Sequence, residues 1–377
     1  MIANKIFAAT LIALLTTTSA YAADIVKIGV FEPITGVNAF AGQMEVEGIR
    51  LAHKEKPEVL GMKVELVVVD NKSDKVEAAM AVAHLVNRDK VNAIIGSYAS
   101  SLSMAGNELA EMRKIPVVAA SATSPKLTKD KKYCFRACFT DSSYGAGAAA
   151  YAMRKRGFKK AAILQDVVSE YSMTLARSFE TTFNLLGGEV ISKLMYQAGD
   201  QDFTAQLTEI LSQNPDVLYL PSYYAEGALI LEQARKLNAH LPIIGGDAMD
   251  NPDIKTLGGS IVSGLTLTSF SYAPSMPVMS ASAQKFTDAW RAAYPGKEPS
   301  AISALAYTSY MMIMHAIESQ GSAAPADITK GLADLREFTT PLGVISMDAN
   351  HNSNMSVGII EFKGATREYI GEISLTP

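Results

Sequence analysis

The stretch Ala93-Ile94-Ile95-Gly96-Ser97-Tyr98-Ala99-Ser100-Ser101 decides the fold. A short apolar run ends in Gly and a cluster of hydroxyls, and the helical pattern Leu102–Arg113 follows at once. A run of that kind reads as a strand buried on both faces, which means a parallel sheet covered by helices. The same grammar repeats one unit later, where Pro116–Ala120 ends in Ser121-Ala122-Thr123-Ser124. Working outward, strand-like runs fall at Val26–Phe31, Val64–Asp70, Ala161–Asp166, Val190–Tyr196, Val217–Pro221, Pro242–Gly245 and Gly264–Phe270. Helical spacing occupies Met44–His53, Val76–Arg88, Tyr171–Leu186, Phe203–Ser212 and Ala225–Leu237 between them. The chain is α/β.

The alternation breaks once, between Ser121 and Ser143, where Pro125 and a Lys-rich loop precede Tyr133–Thr140. It then restarts and lasts to about Phe270, after which helices are expected over Ala281–Tyr294 and Ala301–Glu318. Short β-like pieces close the chain at Val344–Met347, Met355–Phe362 and Glu368–Leu375. Two βα series of similar size predict two related lobes, one of 23–141 plus 272–344 and one of 142–271 plus 345–377. Ala301–Ile317 is apolar, but Ser303, Thr308, Ser309 and His315 interrupt it, so it reads as a buried core helix.

Composition narrows the function. Met1 to Ala22 runs from Lys5 through the apolar Ile6–Leu15 to Ala20-Tyr21-Ala22, the pattern of a secretory signal peptide with its A-x-A cleavage site. The apolar stretch is too short to span a bilayer, which takes ~20 residues. No Cys follows it, so the expectation is a soluble, exported protein starting at Ala23 without a lipid anchor. Removing 22 of the 377 residues leaves 355, more than one core usually serves. A net charge of −4 with no Lys/Arg-dense run lacks the footprint of a nucleic-acid binder. The two cysteines, Cys134 and Cys138, exclude a disulfide framework, and in an extended strand their Cα atoms stand roughly 13 Å apart, beyond disulfide reach. A bridge would need a local turn; two buried thiols are the alternative.

Enzyme signals do not assemble. Gly145-Ala146-Gly147-Ala148-Ala149-Ala150 fits G-x-G-x-x-A, and Asp166 ends the next strand, as in a nucleotide-binding NAD enzyme. That fingerprint needs its first Gly in the turn directly after a strand, whereas Thr140–Tyr144 intervene here, and a helix packed closely by small residues explains the same letters. There is no G-x-S-x-G, and Ser282-Ala283-Gln284-Lys285 matches S-x-x-K without its companion motifs. The five His are scattered without metal-ligand spacing. Neither a catalytic group, a cofactor nor a metal is expected.

What recurs is hydroxyls, aromatics and acids where strands end. Ligands of open α/β sheets bind at the carboxyl ends of strands, and a helix N-terminus with Ser hydroxyls suits a carboxylate. Ser100 and the Ser121–Ser124 cluster supply this in the first series. In the second, Asp166 and Tyr171 flank one loop, Tyr223-Tyr224 follow Val217–Pro221, and Asp247 follows Pro242–Gly246. An acid there can hold an ammonium, and Tyr rings wall a pocket. Helix capping is the commoner role for each such Ser or Asp taken singly.

Lys27-Ile28-Gly29-Val30 with Pro33-Ile34-Thr35-Gly36, then Gly42 and Gly48, resembles the start of branched-chain amino-acid binding proteins, the type I periplasmic solute-binding family of ABC importers. Ile94–Ser97 with Ser100-Ser101, Ile115–Val118 with Ala122–Thr128, and Phe135-Arg136 with Thr140-Asp141 extend the resemblance along the chain. It implies two doubly wound parallel-sheet lobes joined by a three-crossing hinge, a periplasmic monomer, an ABC transporter permease as partner, and no chemistry. It also implies that Ser100 and Thr123 bind the ligand carboxylate, with a backbone contact at Ser121 and Ala122. Tyr171 and Tyr223 (or Tyr224) close over the ligand, and Asp247 takes the ammonium where branched-chain binders commonly carry Glu. Phe40 or Ala41 falls where some members place an aromatic wall, Tyr98 flanks the side chain, and Trp290 lies elsewhere, in a helix of the first lobe. The ligand expected is an apolar or aromatic amino acid; urea, short amides and aromatic acids are the alternatives within the family.

Overall fold

The computed structural model describes residues 25–373 apart from 238–239, 251–253, 255–258, 271, 275, 277 and 365. The signal-peptide reading of residues 1–22 and the start at Ala23 lie outside the described residues. The first sheet is built from β1 (Val26–Glu32), β2 (Glu58–Val59), β3 (Met62–Asp70), β4 (Ala93–Ile95), β5 (Val117–Ala119) and β6 (Cys134–Arg136), in the order β2-β3-β1-β4-β5-β6. All pairs are parallel except the short β2–β3. The second contains β7 (Lys160–Asp166), β8 (Glu189–Tyr196), β9 (Val217–Leu220), β10 (Ile243–Gly245) and β11 (Leu265–Phe270). After a small hairpin of β12 (Phe338–Thr340) and β13 (Gly343–Ile345), β14 (Val357–Lys363) and β15 (Thr366–Ile373) join that second sheet, whose order is β15-β14-β11-β10-β9-β7-β8. These last two run antiparallel, so the β-like tail completes an edge rather than continuing the parallel series.

The central strands are buried along their length, as their unbroken apolar runs require: β4, β5, β9, β10 and β11 have no exposed position. The covering helices are α1 (Ala39–Glu55), α2 (Lys75–His84), α3 (Ser100–Arg113), α4 (Asp141–Ala150), α5 (Glu170–Leu185), α6 (Thr204–Ser212) and α7 (Tyr224–Lys236). Helix α1 begins five residues before the sequence pattern, and the Val76–Arg88 pattern divides into α2 and a π-helical turn, Leu85–Asp89. The helix Ala301–Gln320 packs along α1 and is a core helix; no helix among the described residues is long and apolar enough to cross a membrane. Its contact with α1 depends on Gly48, where a Cβ would lie 2.2 Å from the Ser303 carbonyl oxygen. Helix Pro325–Ala333 has no counterpart in the sequence reading, because Pro325 and Gly331 read as breakers; Pro at the first helical turn is instead a start signal.

Gly145 and Gly147 sit inside α4, not in a strand-to-helix turn. A Cβ on Gly145 would meet the Leu175 carbonyl oxygen of α5 at 2.6 Å, and one on Gly147 would meet Val357 Cγ1 at 2.9 Å. The small residues serve close helix packing, and the dinucleotide fingerprint is not formed. Cys134 and Cys138 are buried free thiols. Trp290 is buried in the helix Ala281–Ala293.

Each sheet reverses direction once, between β1 and β4 in the first and between β7 and β9 in the second. The loops that leave the carboxyl ends of strands at these two reversals meet, and the crevice between them is the place where such sheets bind ligands.

Candidate functional site

Strand β4 delivers Gly96–Ser100, β5 delivers Ser121–Thr123, β9 delivers Tyr223, and β10 delivers Gly246–Ala248. The cleft they form is lined by Tyr98, Ala99, Ser100, Ser121, Ala122, Thr123, Tyr171, Tyr223, Asp247 and Ala248. Eight residues singled out from the sequence therefore converge from distant parts of the chain. The cleft holds about 190 Å³ of empty space, and beside Tyr223 it adjoins an open groove holding about 1110 Å³. Phe40 does not line it; its ring meets Tyr224 edge-on at 6.3 Å. The start of α7 places Tyr223 on the cleft and Tyr224 on the groove beside it. Tyr223 precedes the helix and stacks on Tyr171 at 5.0 Å, whereas Tyr224 is its first residue and lines the groove.

The wall supplied by β4 and β5 is hydroxyl-rich. Ser100 opens α3, and its Oγ accepts from the Ser124 backbone N–H at 3.1 Å, which ties the two hydroxyl loops together. Ala99, the residue before it, has φ of +69°, a conformation L-residues rarely adopt. Arg136 on β6 is fully buried and donates from Nη1 to the Ala122 carbonyl at 3.3 Å and from Nη2 to the Ser124 carbonyl at 2.6 Å. It fixes the loop that presents Thr123. The Thr123 carbonyl in turn accepts from the Asp141 N–H at 2.9 Å. Burial holds the Asp141 carboxyl well above the ordinary range, with Thr123 beside it as the main offset.

The opposite wall carries the acid. Asp247 Oδ1 accepts from the Tyr171 hydroxyl at 3.0 Å, and that hydroxyl accepts from the Ala248 N–H at 3.0 Å. Tyr171 reaches this position because α5 begins at Glu170 and is capped by Ser169, whose side chain accepts from Ser172 N–H. Burial raises the Asp247 carboxyl to about 7, with the Tyr171 hydrogen bond opposing the shift. A buried carboxylate held by a phenol and a backbone N–H, with a second acid nearby, is short of a counter-charge. Asp166 is not part of the cleft: its Oδ1 accepts from Val168 N–H at 3.0 Å and Ala198 N–H at 3.3 Å, so it organises a turn beside the open groove.

Several residues behind the hydroxyl wall escaped the sequence reading. Glu32 at the end of β1 and Glu45 on α1 are both fully buried, and Ser121 Oγ donates to Glu45 Oε1. Glu45 lies among apolar positions of α1, and an acid on the buried face of an amphipathic helix was the available signal. Among the described residues no His, Cys, Asp and Glu are grouped so as to hold a metal ion.

A sequence model of the periplasmic binding protein family matches residues 25–364. The Leu/Ile/Val-binding protein BraC3 of Rhizobium johnstonii is 30% identical over 347 residues, 91% of this chain and 92% of that one. The crystal structure of a leucine binding protein, LivK, from Thermotoga maritima superposes with a TM-score of 0.89 at 40% identity, covering 93% of this chain and 99% of that one. The branched-chain amino acid substrate binding protein LivJ from Streptococcus pneumoniae, in complex with isoleucine, gives a TM-score of 0.85 at 30% identity over 92% of this chain and 100% of that one. A solute binding protein of an ABC transporter from R. palustris, in complex with benzoate, shares the fold with a TM-score of 0.84 at 22% identity, over 93% and 96% of the two chains.

Proposed function

Because this chain belongs to the periplasmic binding protein family, whose fold and relatives are those of solute-binding proteins and not enzymes, we propose that it is the exported, unanchored substrate-binding component of an ABC importer, that it takes a zwitterionic α-amino acid between two lobes, and that it hands the ligand to a membrane permease. The lobes are 23–141 plus 272–344 and 142–271 plus 345–377, and the protein works as a monomer. The ligand carboxylate meets Ser100, Thr123 and the N-terminus of α3. The ammonium meets Asp247, and Tyr98, Tyr171 and Tyr223 enclose the side chain. The observation that carries this reading is the buried Asp247 carboxyl, raised to about 7 and facing a wall of hydroxyls. A zwitterion brings both missing charges within a few ångströms. Entry and release require the two walls to part, a hinge motion of the kind that closes domains around ligands.

Mass spectrometry of the copurifying ligand, followed by calorimetry against leucine, valine, threonine, phenylalanine, urea and benzoate, tests the reading. At least one amino acid is expected to bind and urea and benzoate are not, and Thr123→Ala should cost roughly 1.5–3 kcal/mol, the worth of one hydrogen bond to a charged group. Binding of urea or benzoate with no response to any amino acid would replace the zwitterion with the alternative ligand class.

A further inference from the structure

The hydroxyl of Ser121 is not free to serve a ligand carboxylate. Ser121 lines the cleft, but its Oγ donates to Glu45 Oε1. Glu32 Oε1 and Glu45 Oε2 are both buried without a hydrogen-bond partner among the described residues, and the Glu45 carboxyl pushes that of Glu32 up, so a proton kept on one of the two would satisfy both. Burial and the neighbouring Glu45 raise the Glu32 carboxyl well above the ordinary range, and burial raises Glu45 to about 7, with the Ser121 hydroxyl opposing that shift. The Glu32 Oε2 also accepts from the Tyr98 N–H at 2.7 Å, which locks the pair to the next residue of the cleft wall. With its hydrogen committed to Glu45, Ser121 Oγ has only lone pairs left for the cleft. Tyr98 lines the same cleft and is 4% exposed, and its hydroxyl has no hydrogen-bond partner among the described residues. Buried hydroxyls are ordinarily paired, so this end of an otherwise aromatic pocket is short of a hydrogen-bonding group.

We infer that Glu45, steadied by Glu32, is a positioning residue that fixes the Ser121 hydroxyl as an acceptor, and that Ser121 and Tyr98 together select an amino acid whose side chain carries an N–H or O–H donor. The inference rests on the amino-acid reading above and narrows it: the side chain is small and mainly apolar in outline, with one donor, as in a β-hydroxy amino acid. Threonine and valine are near-isosteres that differ in that group, so their affinity ratio isolates it. A site built to hydrogen-bond a hydroxyl rejects the analogue lacking it, whereas a purely apolar pocket tolerates the exchange in either direction.

The experiment is calorimetric titration of threonine and valine into wild type, Ser121→Ala, Glu45→Gln and Tyr98→Phe, with thermal melting to confirm folding. Wild type is expected to bind threonine about tenfold or more tighter than valine, the order of one well-placed hydrogen bond. Ser121→Ala and Tyr98→Phe should each pull the ratio toward one. Glu45→Gln no longer fixes the direction of the Ser121 hydrogen, and because a threonine hydroxyl can accept as well as donate, the ratio should fall less than in Ser121→Ala while volume and fold are kept. Valine binding as tightly as threonine to wild type overturns the inference and leaves the amino-acid reading intact. Variants that weaken both ligands equally, with the ratio unchanged, overturn it too, since they place Ser121 against the ammonium or in a purely structural role. No binding of any amino acid across the wider panel above overturns both readings together.

Discussion

Replacing Asp247 with Asn should remove most of a pH dependence of ligand affinity that wild type displays between pH 6 and 8. The Asp247 carboxyl is buried against Tyr171 and raised to about 7. Below that value the ligand-free protein holds the proton, and above it the carboxylate is formed. An ammonium at hydrogen-bond distance favours the carboxylate, so binding drives the proton off and costs free energy wherever the free protein is protonated. The sign follows: affinity rises with pH through about 7 and levels off above it. With a carboxyl at about 7, roughly one molecule in eleven is ionised at pH 6 and about ten in eleven at pH 8, so affinity should rise about tenfold, or about 1.4 kcal/mol. Calorimetry at the two pH values, in buffers of different ionisation enthalpy, reads both the affinity and the proton released. The Asn variant should bind weakly at both values with no proton release from this site. Glu45 titrates in the same range, and whatever slope survives in Asp247→Asn belongs to it. Wild-type affinities that agree within about twofold at pH 6 and 8, or an Asn variant that keeps the full slope, would refute the assignment of Asp247 to the ammonium.

Two further perturbations separate packing from closure. Gly48→Ala places a Cβ 2.2 Å from the Ser303 carbonyl oxygen, which is backbone and cannot swing aside, so it should destabilise the fold by about 1–3 kcal/mol and lower Tm in thermal melting, without changing the pH slope of binding. Lys126 and Glu170, 3.0 Å apart, join the loop after β5 to the start of α5 across the cleft. Lys126 is more than half exposed, so Glu170→Gln should weaken affinity by no more than about fivefold at low salt, and the difference should shrink as salt is raised in the same titration.

The α/β class, the strands and most of the helices were legible in the sequence because apolar periodicity is a local property: a run such as Ala93–Ile95 can be buried on both faces only inside a parallel sheet. The hydroxyls at Ser100 and Ser121–Thr123 were legible for the same reason, since they sit directly after such runs. Whether β14 and β15 would run antiparallel on the second sheet was not, because pairing partners far apart in the chain leave no mark on local spacing. The choice between Tyr223 and Tyr224 depended on the residue at which α7 begins, and helix boundaries are weakly encoded when no cap side chain marks them. Glu32, Glu45 and Arg136 carry the clearest contrast. As letters they are ordinary charged residues, and composition alone places such residues at the surface. Only the packing of α1, β1 and β6 around the cleft takes them out of water, and desolvation then raises both carboxyls and calls for the Ser121 hydroxyl on Glu45 and the carbonyl grip of Arg136. The sequence by itself determined where backbone could be buried and which side chains stood at strand ends. The tertiary structure alone decided which charges lost their solvent, because desolvation is set by neighbours contributed from the whole length of the chain.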